Sequence, residues 1–243
     1  MHIGGHGVFI AGLELFPSAY CRRHAPAAAW SVVTPDTAIV IEGYPGSANS
    51  FAREAFQLAN PDARIASHLH SVAQLREGSR LGVPLLALLR PPDDAIVSLL
   101  ARFEGFTFGH ELRRYARFYR RLTGVAEDVE LATFEEVSHS FGDVITRVNH
   151  RFGAAFTPFA HDDEAAVDTV MQRLDCFSHD TFGAGAPLRG ARPSSERSAR
   201  AAALHEDLGQ PRWASLLDEC RERYWLIHQR WAARNRLATP QAS

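Results

Sequence analysis

Residues 38–51 (Ala38-Ile39-Val40-Ile41-Glu42-Gly43-Tyr44-Pro45-Gly46-Ser47-Ala48-Asn49-Ser50-Phe51) join a short apolar run to a helical pattern through a Gly/Pro/Ser turn. Strand, glycine-rich turn and helix N-terminus is a layout that holds phosphate. Turn N–H groups and the positive end of the helix dipole both point at an anion. Laid on the Walker A pattern, Gly43 takes the first glycine, Ala48 the second, Asn49 the lysine and Ser50 the Ser/Thr. The lysine that grips a terminal phosphate is absent. The spacing therefore predicts an anion cradle for a phosphorylated donor other than ATP, with a P-loop kinase as the weaker alternative.

A second segment, Leu88-Leu89-Arg90-Pro91-Pro92-Asp93-Asp94-Ala95-Ile96-Val97-Ser98, places Arg90 at the end of a buried strand and Ser98 in the helix after it. Alone, an Arg after a strand pairs with an acid or lies in solvent. Together with the earlier loop it reads as a phosphate clamp, with the Ser98 hydroxyl as a second donor. All 26 basic residues are arginine. GC-rich coding explains that bias, but the chemical consequence holds: any fixed cation must be a guanidinium, which binds phosphate and sulfate bidentately and barely deprotonates.

The elements that must position these residues alternate. Strands are expected over 37–41, 63–67, 83–89 and 129–134. Helices are expected over 50–58, 72–77, 92–103, 109–122, 141–152 (closed by Gly153) and 163–176. Residues 1–36 form a lead-in of no clear period, 183–195 a Gly/Pro/Ser/Arg loop, and 194–238 two C-terminal helices split at Gly209-Gln210-Pro211. The stripe Trp213, Leu217, Cys220, Tyr224, Ile227, Trp231 reads as core packing. This alternation predicts one α/β domain over 1–243, a three-layer P-loop-like fold with a mostly parallel sheet. Ligands in such sheets bind beyond the carboxyl ends of the strands, where the 43–50 turn lies.

Composition narrows the classes. With 46% hydrophobic residues in 243 the chain can bury a sizeable core. A net charge of -2 argues against bulk attraction to nucleic acid or an anionic membrane. No run approaches the ~20 apolar residues of a membrane span. Cys21, Cys176 and Cys220 are few and scattered, which suits a reduced, cytoplasmic protein with free thiols. The arginine- and aromatic-rich stretch 111–121 reads as a solvated helix face rather than a nucleic-acid surface. His68-x-His70 lacks a third ligand, and His161-Asp162-Asp163 reads as a helix start, so no metal is expected.

The motifs together resemble the sulfotransferases that use 3′-phosphoadenosine 5′-phosphosulfate (PAPS), bacterial members included. Residues 44–51 resemble the family's first loop ("YPKSGTTW", "GYPRSGNTF"), and Arg90, Asp93 or Asp94, and Ser98 resemble its "RNPxDxxxS" element. Ile65-Ala66-Ser67-His68-Leu69 stands where the family has a strand ending in "KTHL". Residues 132–137 resemble "YEDL", 141–153 the helix after it, and 193–197 loosely the late basic loop. The likeness covers roughly residues 37–200 and implies a PAPS-binding enzyme of the cytoplasm. Gly46, Ser47, Ala48, Asn49, Ser50 and Phe51 would hold the 5′-phosphosulfate. Arg90, Ser98 and Arg197 would hold the 3′-phosphate. His68, with Ser47, would serve catalysis as a general base of ordinary pKa, about 6.5.

The acceptor implied is a hydroxyl or amine of a small molecule or saccharide, and a homodimer is compatible. One departure matters. The family's loop cation is Gly46 here, and losing such a group costs ~3–4 kcal/mol of transition-state stabilisation by analogy with lost oxyanion donors. Arg53, one turn into the helix, is the expected compensating cation. A nucleotide- or sulfonucleotide-binding protein without catalysis is the alternative.

Overall fold

In the computed structural model, residues 32–190 and 194–238 are described. Four parallel strands form one sheet in the order β2-β1-β3-β4: β1 (Ile39–Gly43), β2 (Ile65–Ser67), β3 (Leu85–Leu89) and β4 (Glu130–Thr133). Register pairs Val40 with both Ala66 and Leu85, and Leu88 with Ala132. Every strand residue is buried. Sheets covered on both faces carry continuous apolar strands, which is why IVIEG and LLALL read as they do.

The strand side chains alternate between two cores. Val40, Leu85, Ala87 and Leu89 join the core with α2 (Val72–Leu81), α3 (Pro92–Arg102), α4 (Phe108–Thr123), α9 (Ser195–Leu208) and α10 (Ala214–Ala238). Ile39, Ile41, Leu86 and Leu88 join the other, with α1 (Asn49–Ala59), α5 (Phe134–His139), α6 (Phe141–Phe152) and α7 (Glu164–Phe182). The result is the expected three-layer α/β domain. Leu217, Cys220 and Ile227 of the C-terminal stripe are buried, and Trp213, Tyr224 and Trp231 pack against them. No described helix is long and apolar enough to cross a membrane.

Several boundaries differ from the sequence reading. Phe134 starts a helix instead of ending a strand. Thr133 is its N-cap, accepting from the Glu136 N–H while the Glu136 side chain takes the Thr133 N–H, a reciprocal capping box. Helix α7 runs past 176 to Phe182 because no helix-stopping residue precedes Gly183. Within the expected 183–195 loop, a 3₁₀ turn (Gly183–Gly185) leads into α8 (Ala186–Arg189). Pro193 of the late basic loop and most of the 1–36 lead-in lie outside the described residues. Asp163 caps α7 through the N–H groups of Ala165 and Ala166, as a helix start should.

Candidate anion-binding site at the end of β1

The loop between β1 and α1 is held tightly from below. Gly43 lies so close to β3 that a Cβ there would meet Leu88 Cβ and O at 2.9 Å. Ser47 N–H bonds back to the Tyr44 carbonyl at 3.2 Å, closing the turn. Two residues then take the left-handed region, Gly46 at φ 86° and Ala48 at φ 63°. For alanine this conformation is strained. Ala48 is the N-cap of α1 yet offers no side-chain cap, so the first-turn N–H groups of α1 have no intrahelical or capping partner. The Ser47 hydroxyl just before them is fully buried and has no hydrogen-bond partner among the described residues. A buried hydroxyl left unpaired is costly. An anion seated on the loop would relieve both deficits.

The remaining loop residues divide. Asn49 turns under the loop, where its amide donates to the Tyr44 carbonyl at 3.0 Å and its Oδ1 is unpartnered. Phe51 directs its ring to Phe159 and His161, with centroids 6.1 and 5.5 Å away. For both, the backbone is what remains for a ligand. Ser50 Oγ lies 3.2 Å from His68 Nε2, and Ser67 Oγ 3.0 Å from His68 Nδ1.

Arg90 and Ser98 come to the same loop from β3 and α3. Arg90 Nη1 donates to the Gly46 carbonyl at 2.5 Å, and its guanidinium lies 4.0 Å over the Phe134 ring. A Cβ on Gly46 would meet the Ala95 carbonyl at 3.0 Å and Ser98 at 3.5 Å. A side chain at that φ would be strained and crowded against the Ala95 carbonyl, which suits glycine at this point of the loop. Arg53 pairs with its neighbour Glu54, yet its charge still reaches His68. Arg197 sits in the first turn of α9 and donates to the Gly190 carbonyl. Its positive charge acts on Arg90 and Arg102 alike.

His68 departs from the ordinary value expected of it. Burial, reinforced by Arg53 and Arg102, pushes its pKa down to about 4. The ring is neutral at pH 7 but a weak base until negative charge arrives. It is presented by a turn with two left-handed non-glycine residues, His68 at φ 65° and His70 at φ 52°. Glu42 holds that turn. The carboxylate is fully buried and accepts from Leu69 N–H (2.9 Å), His70 N–H (2.8 Å) and Gln74 Nε2 (2.7 Å). Burial outweighs these donors and raises its pKa to about 8. His70 donates Nδ1–H to the Gly43 carbonyl at 2.8 Å. That bond makes it a brace of the loop.

Behind the site stands a tyrosine frame on α4. Tyr115 OH and Tyr119 OH both donate to the Arg90 carbonyl, at 2.6 and 3.1 Å, and Arg90 N–H donates to Tyr119 OH. Tyr44 OH donates to Glu111 Oε2 at 2.5 Å, and Arg114 pairs with the same carboxylate. Arginines 113, 117 and 120 of α4 are exposed, so this helix turns aromatics inward and its charge outward.

The sequence reading missed the α4 tyrosines, Glu42 and Arg102. Arg102 had a legible signal, standing one helical turn after Ser98. A separate concavity of about 410 Å³ lies by the start of α6, lined by Ser140, Asp143, Phe159 and His161. Both ring nitrogens of His161 are taken, one by Phe141 N–H and one by the Ser138 carbonyl, and none of the loop residues reaches it. Among the described residues no group of three His, Cys, Asp or Glu side chains could hold a metal ion. No protein-family model matches the chain, and no curated protein matches it.

Proposed function

We propose that the chain binds PAPS and transfers its sulfuryl group to a hydroxyl of a small-molecule or saccharide acceptor. The observation that carries this reading is the orphaned Ser47 hydroxyl over an uncapped helix start, in a loop gripped by Arg90 and flanked by Ser98. An anion completes that arrangement, and guanidinium rather than lysine supplies the charge. Ser47 and the N–H groups of Ala48 to Ser50 would hold the 5′ group. Arg90, Ser98 and Arg197 would hold the 3′-phosphate.

The donor supplies an electrophilic sulfur. The acceptor oxygen bonds to that sulfur, the bond from sulfur to the 5′-phosphate oxygen breaks, and 3′-phosphoadenosine 5′-phosphate (PAP) leaves. His68 takes the acceptor's proton. Charge developing on the transferred group favours imidazolium and so strengthens His68 as a base in the loaded site. Ser50 and Ser67 orient the ring.

Calorimetry of PAP against ATP and AMP, with Arg90→Ala in parallel, tests the donor site. The expected result is tight PAP binding that needs the 3′-phosphate and weakens at least a hundredfold in the variant. Equal binding of ATP, or none of PAP, overturns the proposal. Gly46 favours a second reading, binding without transfer, because it brings no cation to that point of the loop and a side chain there would be strained. Turnover of labelled PAPS with a panel of hydroxyl acceptors, lost in His68→Gln, separates the two.

A further inference from the structure

Three guanidinium groups near the β1 loop are held by backbone carbonyls. Arg90 Nη1 donates to the Gly46 carbonyl. Arg102 donates through Nε and Nη2 to the Arg189 carbonyl, at 3.1 and 2.9 Å. Arg197 donates through Nη1 to the next carbonyl, Gly190. Elsewhere half-buried arginines pair with carboxylates: Arg114 with Glu111, Arg147 with Glu130 and Glu136, Arg234 with Glu127. A carboxylate cancels the charge it holds. A carbonyl fixes the planar fork in place and leaves its charge to act on something else.

Arg102 belongs to this group by position. It stands four residues after Ser98 on α3, and side chains at that spacing share a helix face. Helical side chains lean toward the N-terminus, so Arg102 lies over the turn that carries Ser98. Ser98 in turn lies against Gly46, where an added Cβ would meet it at 3.5 Å. From the other end, Arg102 and Arg197 hold consecutive carbonyls where α8 closes. The arrangement thus runs from Arg90 through Gly46 and Ser98 to Arg102, and on to Arg197. The charge of Arg197 acts on both other guanidinium groups, a repulsion that a bound anion would offset.

We infer that Arg102 is a third guanidinium ligand of the donor's 3′-phosphate, joining Arg90, Arg197 and the Ser98 hydroxyl. This rests on the PAPS reading above and adds a binding residue to it. A phosphate monoester carries nearly two negative charges at pH 7 and presents three strong acceptor oxygens. Three forked cations and one hydroxyl suit that charge and that number of oxygens.

Calorimetry of PAP binding to the wild type, Arg102→Gln and Arg102→Lys tests this, with phosphorus NMR of the 3′ and 5′ signals of PAP bound at saturation. The expected result is binding at least tenfold weaker in the glutamine variant and partly restored in the lysine variant, which keeps the charge. The 3′ signal should differ between the wild type and the glutamine variant while the 5′ signal stays in place. Binding within threefold of the wild type in Arg102→Gln overturns the inference. So does an equal displacement of both signals, or a loss as deep with lysine as with glutamine. Either would make Arg102 a support of the surrounding structure, since a ligand of the 3′ group acts through its charge and on that group first. Those failures leave the PAPS reading standing. Absence of PAP binding by the wild type overturns that reading, and this inference with it.

Discussion

Two regions meet at Arg90 and are built on opposite rules. On the α4 side, Tyr44, Tyr115 and Tyr119 sit with hydroxyls bonded to Glu111 or to the Arg90 carbonyl. On the loop side, Ser47 Oγ and Asn49 Oδ1 are buried without partners among the described residues, and Ala48 holds a strained φ. The first region spends its polar groups on the fold. The second leaves some of them open, at a cost in stability that a bound anion would relieve. The comparison teaches where to look for function: a loop with unpartnered buried oxygens and an uncapped helix start, next to tyrosines whose hydroxyls are all bonded.

The largest effect should come from breaking the satisfied side. Glu111→Ala removes the acceptor of Tyr44 OH and the partner of Arg114 inside the core. Breaking a buried pair in this way costs about 3 to 5 kcal/mol. Chemical denaturation should show that loss in the absence of any ligand.

Next comes a pH effect. Glu42 has its folded pKa raised from 4.5 to about 8, so between those values the folded state holds a proton that the unfolded chain releases. Stability from this group therefore falls as pH rises toward 8. His68 works the other way. Its pKa drops from 6.5 to about 4, so the unfolded chain binds the proton in that range and stability rises with pH. The two slopes cancel from pH 4.5 to 6.5. From 6.5 to 8 Glu42 acts alone, and stability falls by roughly 2 kcal/mol at one proton per pH unit. Glu42→Gln should flatten that fall, and a denaturation series across the range reads it directly.

Third, Ser47→Ala should show the open side's logic. Removing an unpartnered buried hydroxyl leaves thermal stability unchanged or raises it by up to about 1 kcal/mol. The same change weakens PAP binding by about tenfold, the worth of one charge-assisted hydrogen bond. A stability loss without an affinity loss would place Ser47 in the framework instead. The smallest effect is Tyr119→Phe. The variant loses one of two hydroxyls on the Arg90 carbonyl and the acceptor of the Arg90 N–H, for about 1 kcal/mol, with a small shift in PAP affinity.

The fold was legible because its signals run along the chain. Buried strands such as LLALL, the Pro92-Asp93-Asp94 helix start and the Gly153 stop each speak within a few residues. The loop and Arg90 could be read for the same reason. What escaped was what acts across the chain. Glu42 looks like the polar end of a strand until its donors appear from residues 27 to 32 positions away. The capping box at Thr133–Glu136 was legible in principle, being a local pattern, but the apolar run before it masked it. The lowered pKa of His68 could not be read at all, since burial and the charges of Arg53 and Arg102 are properties of the assembled site.

The last helix gives the site a place in time. Trp231 of α10 donates to Glu136, which closes the capping box of the helix whose first residue, Phe134, lies under Arg90. Arg221 of the same helix grips Asp93 beside Arg90, and the Cys220 thiol donates to the Leu112 carbonyl on α4. Arg197 comes from α9, just ahead. On a ribosome the β1 loop is made early, while its supports emerge among the last described residues. A nascent chain can shape this loop before these supports are made, but not brace it. Contacts this distant in sequence also make their closure a slow part of folding.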